Sequence, residues 1–467
     1  MAGFNEIIKQ IDDIVWGIPL ILLILGCGIF LTLKTKFISV RKIRLGFRYM
    51  LHDESKHEGD VSSFAALCTA LSATVGTGNI IGVATAVSTG GAGALFWMEL
   101  AAFFGMATKY AEGLLAIKYR TFDKHGMVLG GPFYYIENGM GKKWKWLAKL
   151  FAFFGVFAGL LGIGTFTQIN GITSAVKLFF DPMTENTVNI IGSDISLCVI
   201  IAGLLITIVA ALVIIGGIKR ISRLAQVVVP GMIVMYVVCA LIIILSHITE
   251  IPSALAEIFA SAFGFRPIAG GIAGISVVFL SMQKGIARGI FSNEAGIGSA
   301  PIAASAAKTN EPVRQGLVSM LGTFIDTIIS CTMTGLIIVI SGSHRKGLEG
   351  VDITIDAFSQ GLPFSGEITA LLLLICLTVF AFTTILGWNY YSERCLSYLF
   401  GSHKSLTLGF RILYIAAVFI GPYLTVEAVW SIADIFNGLM AIPNITALFA
   451  LSNTIKKETD DYFARTT

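Results

Sequence analysis

Between Asp60 and Glu99 the chain runs thirty-eight residues without a charged side chain, and in the middle of that run stands Ser72-Ala-Thr-Val-Gly-Thr-Gly-Asn79. At about 1.5 Å of rise per helical residue, the run is longer than one crossing of a hydrocarbon layer of roughly 30 Å. It must cross, turn and start back. A lipid-facing helix would put Leu or Ile where this one puts Gly-Thr-Gly-Asn, because Gly weakens the helix and frees backbone groups that hydrocarbon cannot hydrate. Irregular backbone at that depth persists only around a polar cavity, so the run points to a small polar ligand held inside a membrane.

Of 467 residues, 55% are hydrophobic and 13% charged, against about 25% charged in a soluble domain. The chain is therefore expected to be an all-α polytopic membrane protein whose main surroundings are the lipid bilayer. Seven cysteines, an odd number without a CxxC pair, sit mostly inside apolar segments and form neither a disulfide framework nor a metal site. The six histidines show no ligand spacing, so a metal-dependent enzyme is not expected. Met1 to Trp16 carries Lys9 with three acidic residues and no small-residue cleavage site, which excludes a secretory signal peptide. A net charge of +4 names no partner, and neither nucleic acid nor an obligatory protein partner is expected.

Apolar segments long enough to span recur at 14–33, 62–89, 93–119, 147–178, 193–217, 224–247, 269–292, 314–341, 367–398, 408–424 and 427–452, which predicts eleven transmembrane helices. Positively charged loops stay cytoplasmic. Lys34, Lys36, Arg41, Lys42, Arg44, Arg48 and Lys56 follow the first span, and Lys118, Arg120, Lys124, Lys142, Lys143, Lys145 and Lys149 follow the third. The opposite side has Lys9, Arg266, Arg345 and Lys346. The amino terminus is then outside and the Lys456-Lys457-Glu458 tail inside a plasma membrane.

Two spans are rich in small and polar residues: the second, around Gly76-Thr77-Gly78-Asn79, and the seventh, from Gly270 through Ser281-Met282-Gln283-Lys284-Gly285 to Gly289. They lie five helices apart, an odd number, so two five-helix copies at 62–247 and 269–450 would enter the membrane from opposite sides. That is the layout of an inverted repeat whose first helix is discontinuous in each copy, helices 2 and 7 of the chain. The span at 14–33 is one extra helix, and 1–467 forms a single transport domain. The competing reading of such glycines is close helix packing, which suits Gly155, Gly159, Gly162 and Gly164 on the fourth span.

Gly90-Gly-Ala-Gly-Ala-Leu-Phe-Trp-Met98 followed by Ala101-Ala-Phe-Phe-Gly-Met-Ala-Thr-Lys-Tyr-Ala-Glu112 resembles the signature of the alanine or glycine:cation symporters, the sodium:alanine symporter family. Ala73-Thr-Val-Gly-Thr-Gly-Asn-Ile80, Gly130-Gly-Pro-Phe-Tyr-Tyr-Ile136 and Ser292-Asn-Glu-Ala-Gly-Ile-Gly-Ser-Ala-Pro301 are similar to it as well. Glu99 departs from the signature, which has a tryptophan there, and is expected near the outer end of the third span. The resemblance implies a LeuT-type five-plus-five fold, sodium-coupled symport, and alanine or glycine as the substrate.

A neutral amino acid carries one carboxylate and one ammonium, so helix ends and amides can hold both. The helix restarting near Thr77, Gly78 and Asn79 is expected to take the carboxylate, while carbonyls near Ala73, Thr74 and Val75 offer hard oxygens to sodium. The resemblance implies that Thr383 and Thr384 complete that sodium site; back-bonding within their own helix is the alternative. On the seventh span, carbonyls near Phe279, Leu280 and Ser281, with Gln283, are expected to receive the ammonium. Gln168 and Asn170 are further polar candidates, with interhelical bonding as the alternative for Gln168. Phe166, Met282 and Trp388 are candidate pocket walls or simple packing.

Charges inside spans cost at least about 2.5 kcal/mol at a bilayer centre. Lys284, Arg288, Glu294, Lys109 and Glu112 read either as an inner ion-pair gate or as interface anchors, and Asp326 and Asp434 as ion ligands, proton ligands or network residues. A proton-coupled carrier is the nearest alternative function. An ion channel would show a repeated filter or charged rings, and an intramembrane enzyme would need a nucleophile with its base.

Overall fold

The uncharged run folds as anticipated from its glycines. Helix α3 (Ser63–Thr74) starts where Ser62 Oγ accepts the Ala65 N–H at 3.1 Å and stops at Val75, whose backbone is extended. The chain resumes as α4 (Gly78–Gly90), bent 53° from α3 and opening on a π-helical turn over Gly78–Gly82. Wide turns of this kind recur at functional sites.

The structure, a computed structural model, describes residues 2–51, 59–123, 126–190, 193–264 and 271–466. Lys56, Lys124, Arg266 and Gly270 lie outside the described residues. Around the broken pair stand α1 (Ala2–Val15), α2 (Ile18–Lys34), α5 (Gly93–Lys118), α6 (Lys145–Leu161), α7 (Phe166–Phe180), α8 (Leu197–Ile214), α9 (Gly217–Ser246), α10 (Ile251–Ala262), α11 (Gly271–Asn293), α12 (Pro312–Ser341), α13 (Val351–Gly361), α14 (Gly366–Phe400), α15 (Lys404–Ile420), α16 (Val426–Ala450) and α17 (Ser452–Thr466). Among the described residues, nine helical stretches and the bent α3–α4 pair are long and apolar enough to cross a membrane. The expected seventh span corresponds to α11. Among the described residues, two short strand pairs, β1 (Thr121–Phe122) with β2 (Val128–Leu129) and β3 (Thr187–Ile190) with β4 (Ser193–Ser196), decorate loops of a mostly helical chain.

Enclosure separates the spans into a centre and a periphery. In α5, 83% of the apolar window is buried, against 28% in α8, α9 and α15, so α5 is surrounded by protein and the other three present flanks to lipid. Glycines set the close approaches at the centre. A Cβ on Gly155 would meet Cys395 Sγ at 2.6 Å, and one on Gly164 would meet Trp388 Cβ at 2.6 Å. The packing reading of the fourth-span glycines is the right one: they let α6 and the turn after it lie against α14.

The seventh span departs from expectation. Helix α11 is unbroken from Gly271 to Asn293, so the carbonyls of Phe279, Leu280 and Ser281 lie within one continuous helix. Its glycines also serve packing, with Gly289 sitting where a Cβ would meet Met98 Cγ at 3.0 Å. The discontinuity comes after the helix, where Glu294, Gly296 and Gly298 have φ of 56°, 88° and 89° before a short helix at Ala300–Ala304. From Ser281 to that break is roughly 18 Å along the helix axis.

Candidate functional site

The first break is held almost entirely by neutral groups. Asn79 Oδ1 accepts the Gly76 N–H at 2.9 Å, and Gln168 Oε1 on α7 accepts the Thr77 N–H at 3.2 Å. Gln168 is fixed in turn, its amide donating to the Ile163 carbonyl at 2.9 Å in the interruption between α6 and α7. From α14, Thr384 Oγ1 donates to the Val75 carbonyl at 3.2 Å. Gly76 is required here, because a Cβ would meet Thr384 Oγ1 at 2.5 Å and Gln168 Oε1 at 3.0 Å. The Thr77 hydroxyl is buried with no hydrogen-bond partner among the described residues, a group that costs free energy unless something binds it.

Asn79 links this break to an acid. Its Nδ2 donates to Asp326 Oδ1 at 2.8 Å and to the Asp326 carbonyl at 3.0 Å, reaching the π-helical segment Phe324–Cys331 of α12. Ser292, at the end of α11, donates to Asp326 Oδ2 at 2.8 Å, and Thr327 donates to the same oxygen at 2.7 Å. One buried carboxylate thus gathers an amide and two hydroxyls from three chain segments. Asp326 was visible in the sequence only as an intramembrane charge; Ser292 and Thr327 gave no signal by themselves.

The second break is braced by carboxylates. Glu294 accepts the Trp388 indole N–H at 2.7 Å and a hydrogen bond from the Ser299 hydroxyl. Glu112 on α5 accepts from the Gly296 N–H at 3.1 Å and from Asn444 Nδ2 at 2.7 Å. Asn444 also donates to the Gly296 carbonyl at 2.9 Å and accepts from the Tyr135 hydroxyl. These bonds take up the Gly296 backbone, while the second Glu112 oxygen, Oε2, is buried with no hydrogen-bond partner among the described residues.

Several expectations need correction. Gln283 donates to the Trp16 carbonyl at 3.2 Å, and the backbone of Ser281 lies against Gly90, so neither they nor Met282 between them sits at a break. Thr383 donates to the Phe380 carbonyl at 2.9 Å and lies 3.6 Å from Met232 Sδ, turned away from Val75. Phe166 packs against Gly421 and Trp388 donates to Glu294, and neither lines the vestibule described next. Lys109 and Glu112 are 2% and 0% exposed, which rules out interface anchoring. One Glu99 carboxylate oxygen is buried without a partner, and Glu99 is not part of the vestibule described next. Val75, Thr77, Gly78, Asn79, Gln168 and Thr384 do meet at the first break, whereas Ala73 packs against Gly387 and the Thr74 hydroxyl bonds back to the Ala70 and Leu71 carbonyls.

An open vestibule of about 370 Å³ leads toward the first break from one end of the bundle, lined by Ile81, Asn170, Gly171, Ser174, Lys177, Glu349, Asp352 and Trp430 among others. Its floor is close to the break, since a Cβ on Gly171 would meet the Thr77 methyl at 2.6 Å. Phe291 packs beside Gly78 and stands 4.9 Å from Trp430, ring to ring. Arg288 lies over Trp430 at 4.8 Å and pairs with Asp434 through two bonds of 3.1 and 2.7 Å. These side chains roof the break. At the other end, the hollow beside Thr74, Lys109, Asn293, Gln315 and Ser319 has only about 10 Å³, room for about one water at most. In the vestibule wall, burial and then the charge of Glu349 push the Asp352 carboxyl above its ordinary range.

With this geometry in hand, the comparisons with known proteins are specific. The profile of the sodium:alanine symporter family matches residues 1–467. The chain is 51% identical over 462 residues to an uncharacterized transporter of Haemophilus influenzae, covering 99% of this chain and 96% of that one. It is 44% identical over 466 residues to the sodium/alanine symporter AgcS of Methanococcus maripaludis, covering 98% and 96%. Among solved structures, that of MhsT in complex with L-phenylalanine superposes with a TM-score of 0.57 at 16% identity, over 84% of this chain and 89% of that one. The fold is thus the LeuT type.

Proposed function

We propose that this chain, which belongs to the sodium:alanine symporter family, carries alanine, and glycine with it, into the cell together with sodium, taking substrate from the vestibule side. The observation that carries the reading is the first break: loosened backbone, neutral amides and one unsatisfied hydroxyl at the foot of an open vestibule. An ion-coupled carrier of zwitterions needs these groups and no fixed charge to match the substrate.

In this reading the substrate carboxylate lies against the amino-terminal turn of α4, where the helix dipole and the Thr77 hydroxyl favour an anion. Gly78 leaves room for close approach, and Phe291 and Trp430 above it restrict the side chain to a small one. Gln168, which fixes the Thr77 N–H, shapes this pocket from α7. One sodium fits between the Val75 carbonyl and Thr384 Oγ1, with the neighbouring carbonyls of Ala73 and Thr74. These are hard oxygen donors of the kind such cations select. A second cation fits at Asp326, where Ser292 and Thr327 need only rotate their hydroxyls to turn lone pairs toward it. Binding of the cation there would pull on Asn79 and so on the Gly76 N–H, which ties ion and substrate sites through one side chain.

The helix breaks, five spans apart, support the inverted repeat of 62–247 and 269–450 with 14–33 outside it. Charge in the loops supports an external amino terminus and a cytoplasmic tail, which makes the vestibule external. Each sodium that moves with the zwitterion carries one positive charge inward, driven by roughly 2.3 kcal/mol per 100 mV. Uptake of labelled alanine into proteoliposomes tests the proposal. Saturable uptake that needs external sodium and grows with an inside-negative potential is expected. Equal uptake with choline in place of sodium, driven by a proton gradient, would contradict it.

A further inference from the structure

The first helical stretch of the chain reaches the roof of the first break. Glu6–Lys34 runs as one stretch of 29 residues, about 43 Å long where a hydrocarbon layer takes roughly 30 Å. Its amino-terminal part, α1, packs on α16, where a Cβ on Gly438 would meet Val15 Cγ1 at 2.5 Å. Trp16 then ties together the two helices whose side chains close the roof. Its indole N–H donates to the Asp434 carbonyl at 2.8 Å, and its own carbonyl accepts from Gln283 on α11 at 3.2 Å. One helical turn before Trp16, Asp12 Oδ1 is buried with no hydrogen-bond partner among the described residues. The charges acting on Asp12 are those of Asp434 on α16, Arg288 and Lys284 on α11, and Asp13 on its own helix. Arg288 gives two N–H groups to Asp434, and a guanidinium has five. A buried carboxylate set beside a second one that already holds the guanidinium is both repelled and unbonded at rest. Its place is explained if the guanidinium changes hands.

Resting on the symport reading above, we propose that Asp12 is the standby acceptor of the roof: when α11 and α16 part to admit alanine, the Arg288 guanidinium leaves Asp434 and lands on Asp12. Lys284, whose charge reaches Asp434 as well, stays behind as that acid's counter-charge. Breaking a buried ion pair outright would leave two uncompensated charges, whereas a handover keeps the guanidinium paired while the roof is apart. Asp12 is thus a positioning residue that touches neither alanine nor sodium. It lowers the barrier to entry and release alike and favours neither closed end state, since Arg288 is back on Asp434 in both.

Association and dissociation rates of labelled alanine, measured with sodium on the purified full chain in lipid nanodiscs, test this. Asp12→Asn keeps the shape and removes the charge. Both rates are expected to fall roughly 10- to 100-fold, while the alanine Kd stays within about twofold and the melting temperature is kept. Asp12→Glu should bring both rates back to within about threefold of the unaltered chain. In an Arg288→Gln background, Asp12→Asn should slow nothing further, because no guanidinium is left to hand over. Unchanged rates in Asp12→Asn, beside normal sodium-dependent binding, overturn this inference alone. So does a lowered melting temperature with a weakened Kd that Asp12→Glu does not rescue, which would make Asp12 part of the resting packing. Slowing that persists in Arg288→Gln but vanishes in Lys284→Gln would give the role to Lys284 and overturn it too. Absence of any sodium-dependent alanine binding to the unaltered chain would overturn the symport reading and this inference together.

Discussion

The two interruptions of the membrane helices are built from opposite materials. At Val75–Thr77 the loosened backbone is met by amides and hydroxyls, and one hydroxyl is left over. At Glu294–Ser299 the backbone of Gly296 is met by Glu112 and Asn444, and the Glu294 carboxylate is held by the Trp388 indole and the Ser299 hydroxyl. Irregular backbone inside a bilayer can thus be either an open socket or a closed joint, and the polarity of a sequence segment does not distinguish them. What distinguishes them is the lining: neutral amides and hydroxyls at the foot of an open vestibule at the first, buried carboxylates at the second.

The comparison breaks most visibly at the joint. Glu294→Ala strips the partner from the Trp388 N–H and the Ser299 hydroxyl and should destabilise the protein by about 3 kcal/mol. The measurement is thermal unfolding in detergent, and the loss is expected with or without sodium and alanine. An unchanged melting temperature combined with lost alanine binding would make the second break a ligand site after all.

At the socket the pattern reverses. Gln168→Ala frees the Thr77 N–H and is expected to weaken alanine binding by roughly 10- to 100-fold, with a loss of substrate-free stability of about 1–2 kcal/mol, smaller than at the joint. Next in size, Thr384→Ala should raise the sodium concentration for half-maximal alanine binding by about tenfold. Thr383→Ala should leave it within about twofold, because only Thr384 touches the Val75 carbonyl. Equal effects of the two threonines would restore both to the ion site. The smallest effect belongs to Ser281→Ala and Gln283→Ala, with alanine affinity within about twofold of the unaltered chain, since both lie roughly 18 Å along α11 from its end.

These outcomes follow the line between what the residues disclosed and what they hid. The many membrane-crossing helices and the first break were legible because hydropathy and a Gly-Thr-Gly-Asn run in an uncharged segment report directly on the solvent around them. The position of the second break was not. Ser281-Met-Gln-Lys-Gly285 looks as polar as a break, yet it is helical, and its neighbours Gly285 and Gly289 are small because Ala94 and Met98 lie against them. The true break, at Asn293-Glu-Ala-Gly-Ile-Gly298, carries two glycines at positive φ, a signal that was available and was absorbed into the family signature instead. The tertiary partners of Asp326, Glu294 and Glu112 come from α4, α14 and α16 or from the end of α11, and no local pattern announces pairings that span from 34 to 332 residues. Thr383 and Thr384 show the same limit on a single turn: adjacent hydroxyls on a helix point about 100° apart, and only packing decides which one meets the break.

A structure of the full chain with sodium and alanine bound tests the central claim most directly. The expected result is alanine at the foot of the vestibule, its carboxylate within hydrogen-bond reach of Thr77 Oγ1, and an ion bridging the Val75 carbonyl and Thr384. Alanine bound instead beside Ser281–Gln283 or within the Glu294–Ser299 segment, with the Thr77 hydroxyl still unpartnered, would contradict it.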